Sequence, residues 1–308
     1  MEKVKIAIAI DPHMLERNPR CRKDNYLETV LGKLEYLAAN NNYVIIAGDL
    51  FHIHSNSTLF FNRVYTLFKK YRGKFHAIPG NHDVFHRNLS ALDKTTLGSL
   101  YFTDVLDLHL EPWYLSGIKF VPVLVNDDPD KIPVDENNTS VLIAHKFYDN
   151  NFDPKESLFP DDIRRLRYNM VFLGHDHKPY DEEFVGDSMV IRMGSLTRMD
   201  TQCYNKDREI VFYQITTEGF GVFDWERKVI PSKPITEVYT EEAINHMSSS
   251  GEKKELVSFI QIGDALAKLT KSTGGINSLD KTLRRIKTPQ SSIDDIKWRH
   301  EVNHVNYT

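Results

Sequence analysis

The chain has 308 residues, 41% of them hydrophobic, enough to bury a substantial core in one large or two modest domains. The 39 Lys and Arg against 43 Asp and Glu give a net charge of -4, which excludes a broad basic field for nucleic acid, so any DNA contact must be local. Two distant cysteines, Cys21 and Cys203, without a secretory leader argue against a disulfide framework and imply a cytoplasmic location, and no apolar run approaches the roughly 20 residues that span a bilayer.

Residues 4–10 form an apolar run that predicts a first strand, and it ends in Asp11-Pro12-His13. After a polar loop, Tyr26, Leu27, Val30, Leu31, Leu34 and Leu37 recur at helical spacing until Asn40-Asn41-Asn42 breaks the pattern. A second strand over 44–47 ends in Gly48-Asp49. A right-handed crossover between these strands would set Asp11 and Asp49 on one edge of a parallel sheet. A helix is predicted over 57–71, with Phe60, Val64, Leu67 and Tyr71 in one stripe and Phe61, Tyr65 and Phe68 beside it. Its apolar surface is wider than one core face requires, and the segment 93–108, carrying Leu97, Leu100, Tyr101, Val105 and Leu108, predicts a helical neighbour with the same excess. The two helices either share a core or offer a surface for self-association.

Between them, residues 75–79 predict a strand that runs into Gly80-Asn81-His82-Asp83. Further strands are expected at 118–125, 141–144, 170–173, 189–193, 210–216 and 221–225. His145 follows one of them, and Gly174-His175-Asp176-His177 follows another. Two β-rich blocks with flanking helices predict an α/β sandwich with helical outer layers. The texture changes after Pro231, which suggests domains over 1–232 and 233–308. In the second, 256–262 is a strand candidate. Leu279, Leu283 and Ile286 line a short helical stripe that either folds back or docks on a partner.

Five clusters of Asp, Asn and His thus sit where strands end, and such ends converge on the ligand crevice of an α/β sheet. Carboxylate, imidazole and amide donors from several segments suit Mn, Fe or Zn. Two such ions about 3.5 to 4 Å apart clamp a phosphate ester and deprotonate water near neutral pH.

Asp-x-His, Gly-Asp, Gly-Asn-His-Asp, a strand-end His and Gly-His-x-His, in that order across roughly residues 1–200, resemble the calcineurin-like metallophosphoesterases. The resemblance implies a four-layer α-β-β-α sandwich and two divalent ions. Asp11, His13 and His177 would bind one ion, and Asn81, His145 and His175 the other, with Asp49 between them. His82 would stay unliganded and act on the leaving oxygen, with Asp83 orienting and charging it.

A narrower resemblance rests on Gly48-Asp49-Leu50-Phe51-His52 and Met193-Gly194-Ser195-Leu196-Thr197-Arg198. Both are similar to the SbcD-type nuclease subunit of double-strand-break repair complexes and its archaeal, eukaryotic and phage relatives. It implies Mn2+, DNA as substrate in recombination or repair, an SMC-like ATPase of the SbcC type as partner, and a homodimer. His52 would lie beside the metals and help set exonuclease action, or be a solvated loop residue. Arg198 would hold the active-site loop, bind a phosphate or make a surface ion pair. The chain after Pro234, about 75 residues, is short for that family's DNA-capping domain plus ATPase-binding segment, so the resemblance implies a reduced cap. The same metal chemistry also serves phosphoproteins, cyclic nucleotides and nucleotide-linked metabolites. His54, His86, His109, His246, His300 and His304 read as surface or core residues. The run Arg164-Arg165-Leu166-Arg167 reads as a solvated helix face or a phosphate contact.

Overall fold

A computed structural model describes residues 3–252 except 138, 150–153 and 220, with side chains described as far as residue 248. The strand candidate at 256–262, the stripe at Leu279, Leu283 and Ile286, and His300 and His304 lie outside the described residues.

The first half builds one sheet and its helices. Strand β1 (Val4–Ala9) leads to helix α1 (Tyr26–Asn40), which starts where the Asn25 side chain accepts from the Glu28 N–H. Strand β2 (Tyr43–Ala47) is followed by helix α2 (Thr58–Lys70), capped by Ser57, and by strand β3 (Phe75–Ile78). The segment predicted as one helix over 93–108 divides instead into a 3-10 stretch at Leu89–Lys94, helix α3 (Thr96–Phe102) and strand β4 (Asp107–Leu108). Asp104, two residues past α3, takes a left-handed φ of 57°. The chain turns there and sends Leu108 into the sheet beside Ala77.

The second half builds the other sheet. It contains β5 (Trp113–Leu115), β6 (Ile118–Val123), β7 (Val141–His145), the short pair β8 (Phe147–Tyr148) and β9 (Ser157–Leu158), helix α4 (Pro160–Leu166), β10 (Met170–Gly174), β11 (Glu183–Val185) and β12 (Ser188–Ile191). The chain then returns to the first sheet through β13 (Val211–Gly219) and β14 (Val222–Val229), and continues as α5 (Ile235–Val238) and α6 (Glu241–Glu252).

The sheet orders are β14-β13-β1-β2-β3-β4 and β11-β12-β10-β7-β6-β5. Strands β1 to β4 run parallel, as do β6, β7, β10 and β12, while β13, β14, β11 and β5 pair antiparallel. Period-two alternation assigns the faces. Ile6, Ile8, Ile45 and Ile78 meet Phe120, Val141, Ile143, Met170 and Phe172 of the other sheet. Ala7, Ala9, Val44 and Phe75 turn the other way onto Leu34 of α1 and Phe60, Val64 and Phe68 of α2. Behind the second sheet, Leu142, Ala144 and Val171 pack on Ile163 and Leu166 of α4. The result is a four-layer α-β-β-α sandwich. Each fully buried Leu, Ile or Phe in it contributes roughly 1.5–3 kcal/mol.

Two sequence readings shift here. Phe68, grouped with a self-association surface by its spacing, is fully buried against Phe75, and Phe61 and Tyr65 stack on one another against the same core. The apolar side chains left outside on α2 and α3 are Leu59, Tyr101 and Phe102. The compact unit also runs through Ser249, past residue 232. Val238, Tyr239, Ala243 and Met247 form a small core with Cys21 and Ile235 beside it, so the segment from Ile235 to Met247 packs on the residues that precede it. Arg164 and Arg165 pair with Asp161 and Asp162, as a solvated helix face would. No helix among the described residues is long and apolar enough to cross a membrane.

Candidate metal centre

The carboxyl ends of β1, β2 and β3 in one sheet and of β7 and β10 in the other deliver the polar clusters to one crevice. The loops after β1 and β2 stay in register, with the His13 N–H donating to the Asp49 carbonyl and the Met14 N–H to that of Leu50, both at 2.8 Å. Asp11, His13, Asp49 and His175 all adopt positive φ, between 46° and 87°, a conformation that non-glycine residues hold only when their surroundings impose it. Gly80 serves the close approach of two loops, because a Cβ there would lie 2.1 Å from Asp49 Oδ1.

The side chains form two adjoining groups, Asp11 with His13 and His177, and Asp49 with His145 and His175, each with its donor atoms within 4.8 Å of one another. Asp49 Oδ2 lies 3.3 Å from His13 Nε2 and 3.2 Å from His145 Nε2. It therefore reaches both groups, where a bridging ligand must stand. Asn81 Oδ1 lies 3.0 Å from His145 Nε2 and joins the second.

These residues fit a pair of divalent cations. His13 Nε2 and His177 Nε2 face one another at 2.9 Å, and Asp11 Oδ1 is sealed from water without a hydrogen-bond partner. Burial holds the pKa of His13 well below the usual imidazole range, and burial with the neighbouring His145 lowers that of His175 to about 3. Both rings are thus neutral, with lone pairs to give. Burial, aided by the nearby Asp49, raises Asp11 well above the carboxylate range. Asp49 resists burial and stays well below it, held by His145 and His13. Burial opposes charge on His145 as well, but the Asp49 and Asp11 carboxylates push its pKa up to about 9.

His82 is half-buried beside this arrangement, its ring centroid 5.0 Å from that of His13. His52 lies beside it and is no remote loop residue: the two rings stack at 5.2 Å and 23°, and both sit within reach of His13. Burial and His82 bring the His52 pKa down to about 4. Asp83 departs from its expected role. Its carboxylate accepts from the backbone N–H groups of Gly80, Leu50 and Phe51 at 2.9, 3.2 and 2.8 Å, and the His82 Nδ1 goes instead to the His52 carbonyl oxygen. A buried carboxylate next to three backbone donors satisfies them first, so Asp83 ties the loop after β3 to the loop after β2. Burial and the Asp49 charge raise its pKa to about 7.

Arg198 holds a loop. It donates to the carbonyls of Arg208 and Lys233. The buried Arg208 in turn donates to the carbonyls of His177, Ser195 and Thr197. Sequence reading passed over Arg208, as it did Glu156 and Arg87, because none belongs to a strand-end motif.

A sandwich of two sheets that gathers carboxylate, imidazole and amide donors at one edge fits a metal-dependent hydrolase. The chain belongs to the calcineurin-like phosphoesterase family, which matches over residues 4–179. Among solved structures, it is similar to a predicted phosphoesterase from Streptococcus pneumoniae at 12% identity and a TM-score of 0.36, over 74% of this chain and 99% of that one. It is also similar to the NAD nucleotidase of Haemophilus influenzae at 13% identity and a TM-score of 0.41, over 82% of this chain and 56% of that one. No curated protein sequence matches the chain. The family hydrolyses phosphate esters, and divalent ions, when bound, supply a water activated near neutral pH and charge to steady the displaced oxygen.

Proposed function

We propose that the protein is a DNA nuclease subunit that uses two Mn2+ ions and works in recombination or repair with an SMC-like ATPase of the SbcC type. In this reading Asp11, His13 and His177 hold one ion, Asn81, His145 and His175 the other, and Asp49 both. His82 meets the leaving oxygen of the scissile phosphate. His52 shapes the entrance through which a DNA end reaches the ions, and two copies associate through α2 and α3.

The observation that carries this choice of substrate is the placement of His52. The motif Gly48-Asp49-Leu50-Phe51-His52, similar to that of SbcD-type nucleases, puts the ring in stacking contact with His82, and its carbonyl lies 2.8 Å from His82 Nδ1. The test is Mn2+-supported degradation of linear duplex DNA by the full chain, with and without a co-purifying ATPase. The same assay runs beside a phosphoprotein, a cyclic nucleotide and a nucleotide-linked metabolite. DNA cleavage that outpaces the other substrates and rises with the ATPase is the expected result. Preferential turnover of any of the others would replace DNA as the substrate while leaving the metal chemistry in place.

A further inference from the structure

Outside the expected site residues, the buried carboxylate of Glu156 touches the metal centre. Glu156 lies in the short 3-10 turn Pro154–Glu156 that leads into β9. Its Oε2 lies 3.4 Å from Nε2 of His175, and its Oε1 contacts the guanidinium of Arg87. No sequence motif flags either residue, since Glu156 follows no apolar run and Arg87 falls four positions beyond Gly80-Asn81-His82-Asp83.

The surroundings of His175 give this contact its meaning. Its N–H donates to Asp11 Oδ2 at 2.8 Å, and its backbone is left-handed at φ 87°. The ring packs against Phe147, with centroids 3.9 Å apart, and lies 4.9 Å from that of His145. Backbone and ring position are therefore set by Asp11, Phe147 and the strand end. Rotation about the Cβ–Cγ bond, and with it the choice of nitrogen that faces the ions, is left open. Nε2 is sealed from solvent and makes no hydrogen bond, and a Glu156 carboxylate oxygen lies 3.4 Å from it. An imidazole that donates one N–H to a carboxylate presents the other nitrogen, as a bare lone pair, to a metal. Such an outer carboxylate fixes tautomer and orientation and raises the basicity of the ligand.

We infer that Glu156 is a positioning residue for the second metal ion: its carboxylate is placed to accept the Nε2–H of His175 and so direct Nδ1 at the ion, while its ion pair with Arg87 holds the carboxylate in place. Arg87 is suited to that task. Its side chain is 43% exposed against 7% for Glu156, so the pair has one end in the buried centre and the other in solvent. The preceding His86 and Arg87 itself both hold positive φ, 49° and 58°, which turns the chain after Asp83 back toward the crevice. The arrangement ties His175 to the loop after β3 through Glu156 and Arg87, as Asp83 ties that loop to the one after β2.

The inference rests on the assignment of Asp49, Asn81, His145 and His175 to a metal site, and the experiment separates the two. Mn2+ is titrated calorimetrically into the full chain and into the variants Glu156→Leu, Glu156→Gln and Arg87→Met, with folding checked by circular dichroism. The expected result is two Mn2+ sites in the unaltered protein, one of them weakened roughly 10- to 100-fold by Glu156→Leu and the other unchanged. Glu156→Gln keeps an acceptor oxygen and should fall between, and Arg87→Met, a change at an exposed position, should weaken the same site. Two sites of unaltered affinity in a folded Glu156→Leu protein would overturn the role of Glu156 but not the metal centre. If Glu156→Leu fails to fold, an unaltered affinity in Glu156→Gln and Arg87→Met overturns it equally. No Mn2+ binding by the unaltered protein would remove the metal assignment, and the inference with it.

Discussion

The Nδ1 of His82 lies 2.8 Å from the carbonyl oxygen of His52. A carbonyl only accepts, so Nδ1 carries the proton and Nε2 is the nitrogen left to exchange one with a substrate. The backbone of one loop thus sets the tautomer of a side chain on another. His82→Ala should retain both metal ions and lose cleavage by about 10²- to 10⁴-fold, the usual contribution of a positioned proton donor. Mn2+ stoichiometry measured beside single-turnover cleavage tests this; lost metal would make His82 a ligand.

Asp49 reaches toward both groups of ligands, so Asp49→Ala should abolish hydrolysis and weaken both ions together. The same logic predicts a thermal signature. Saturation of one site at a hundredfold excess over Kd adds about 2.7 kcal/mol to the folded state, so Mn2+ should raise the Tm of the unaltered protein and EDTA reverse it. The Asp49→Ala protein should barely respond to either. A full Mn2+ shift in that variant would show that the bridging position is elsewhere.

Asp83 holds three backbone donors, and an amide at this position can satisfy fewer of them while its own N–H2 faces another. Asp83→Asn should therefore destabilise the fold by about 1–3 kcal/mol, the range for a buried polar group left unpaired. Cleavage should fall as well, through the displaced loop that carries His82. Urea unfolding monitored by tryptophan fluorescence reads the first effect. Unchanged stability would mean that the carboxylate is not the clamp between these loops.

An acid sensitivity should arise away from the metal centre. His76 Nδ1 and His109 Nε2 face one another at 2.9 Å, and His109 stacks on Trp113 at 4.0 Å. Burial and the neighbouring His76 lower the His109 pKa to about 4, and burial lowers that of His76 against the opposing pull of Asp107. Between about pH 6.5, where the free imidazole titrates, and that depressed value, the unfolded chain binds more protons than the folded one. Stability should thus be complete above this window and decline as pH falls through it. His109→Phe keeps the stacking and removes one titrating ring, and it should flatten the slope of unfolding free energy against pH between 7 and 5. An unchanged slope would acquit this pair.

The exposed apolar side chains of α2 and α3 test self-association. Leu59 is 72% and Phe102 64% exposed, so Leu59→Glu and Phe102→Glu should leave the fold intact while converting a dimer into monomers, as read by light scattering. A monomeric unaltered protein at micromolar concentration would end the dimer proposal.

Apolar runs ending in Asp, Asn or His were enough to place the central strands and to gather the candidate ligands at one sheet edge, because strand polarity and side-chain chemistry are both local properties. The departures are tertiary. Phe68 and Tyr65 share a helical stripe, and only the packing of Phe75 against the former separates core from surface. Asp83 follows His82 in the chain, yet the orphan N–H groups of Leu50 and Phe51, more than thirty residues away, claim it. The strands β8, β9 and β11 are two or three residues long, too short for any periodicity to register. Arg208 and Glu156 act on carbonyls and ring nitrogens brought near by folding alone.

The left-handed backbone at Asp11, His13, Asp49 and His175 has a consequence for how this protein tolerates change. Glycine adopts such angles without steric penalty, whereas any other residue pays for them in conformational strain. At these four positions the residues that the chemistry needs are ones the backbone would rather not have. A metal-free Asp49→Gly protein should accordingly melt above its Asp49→Ala counterpart. The catalytic edge is then a place where drift toward thermal robustness runs straight into loss of activity, and only selection for the reaction keeps the sequence there.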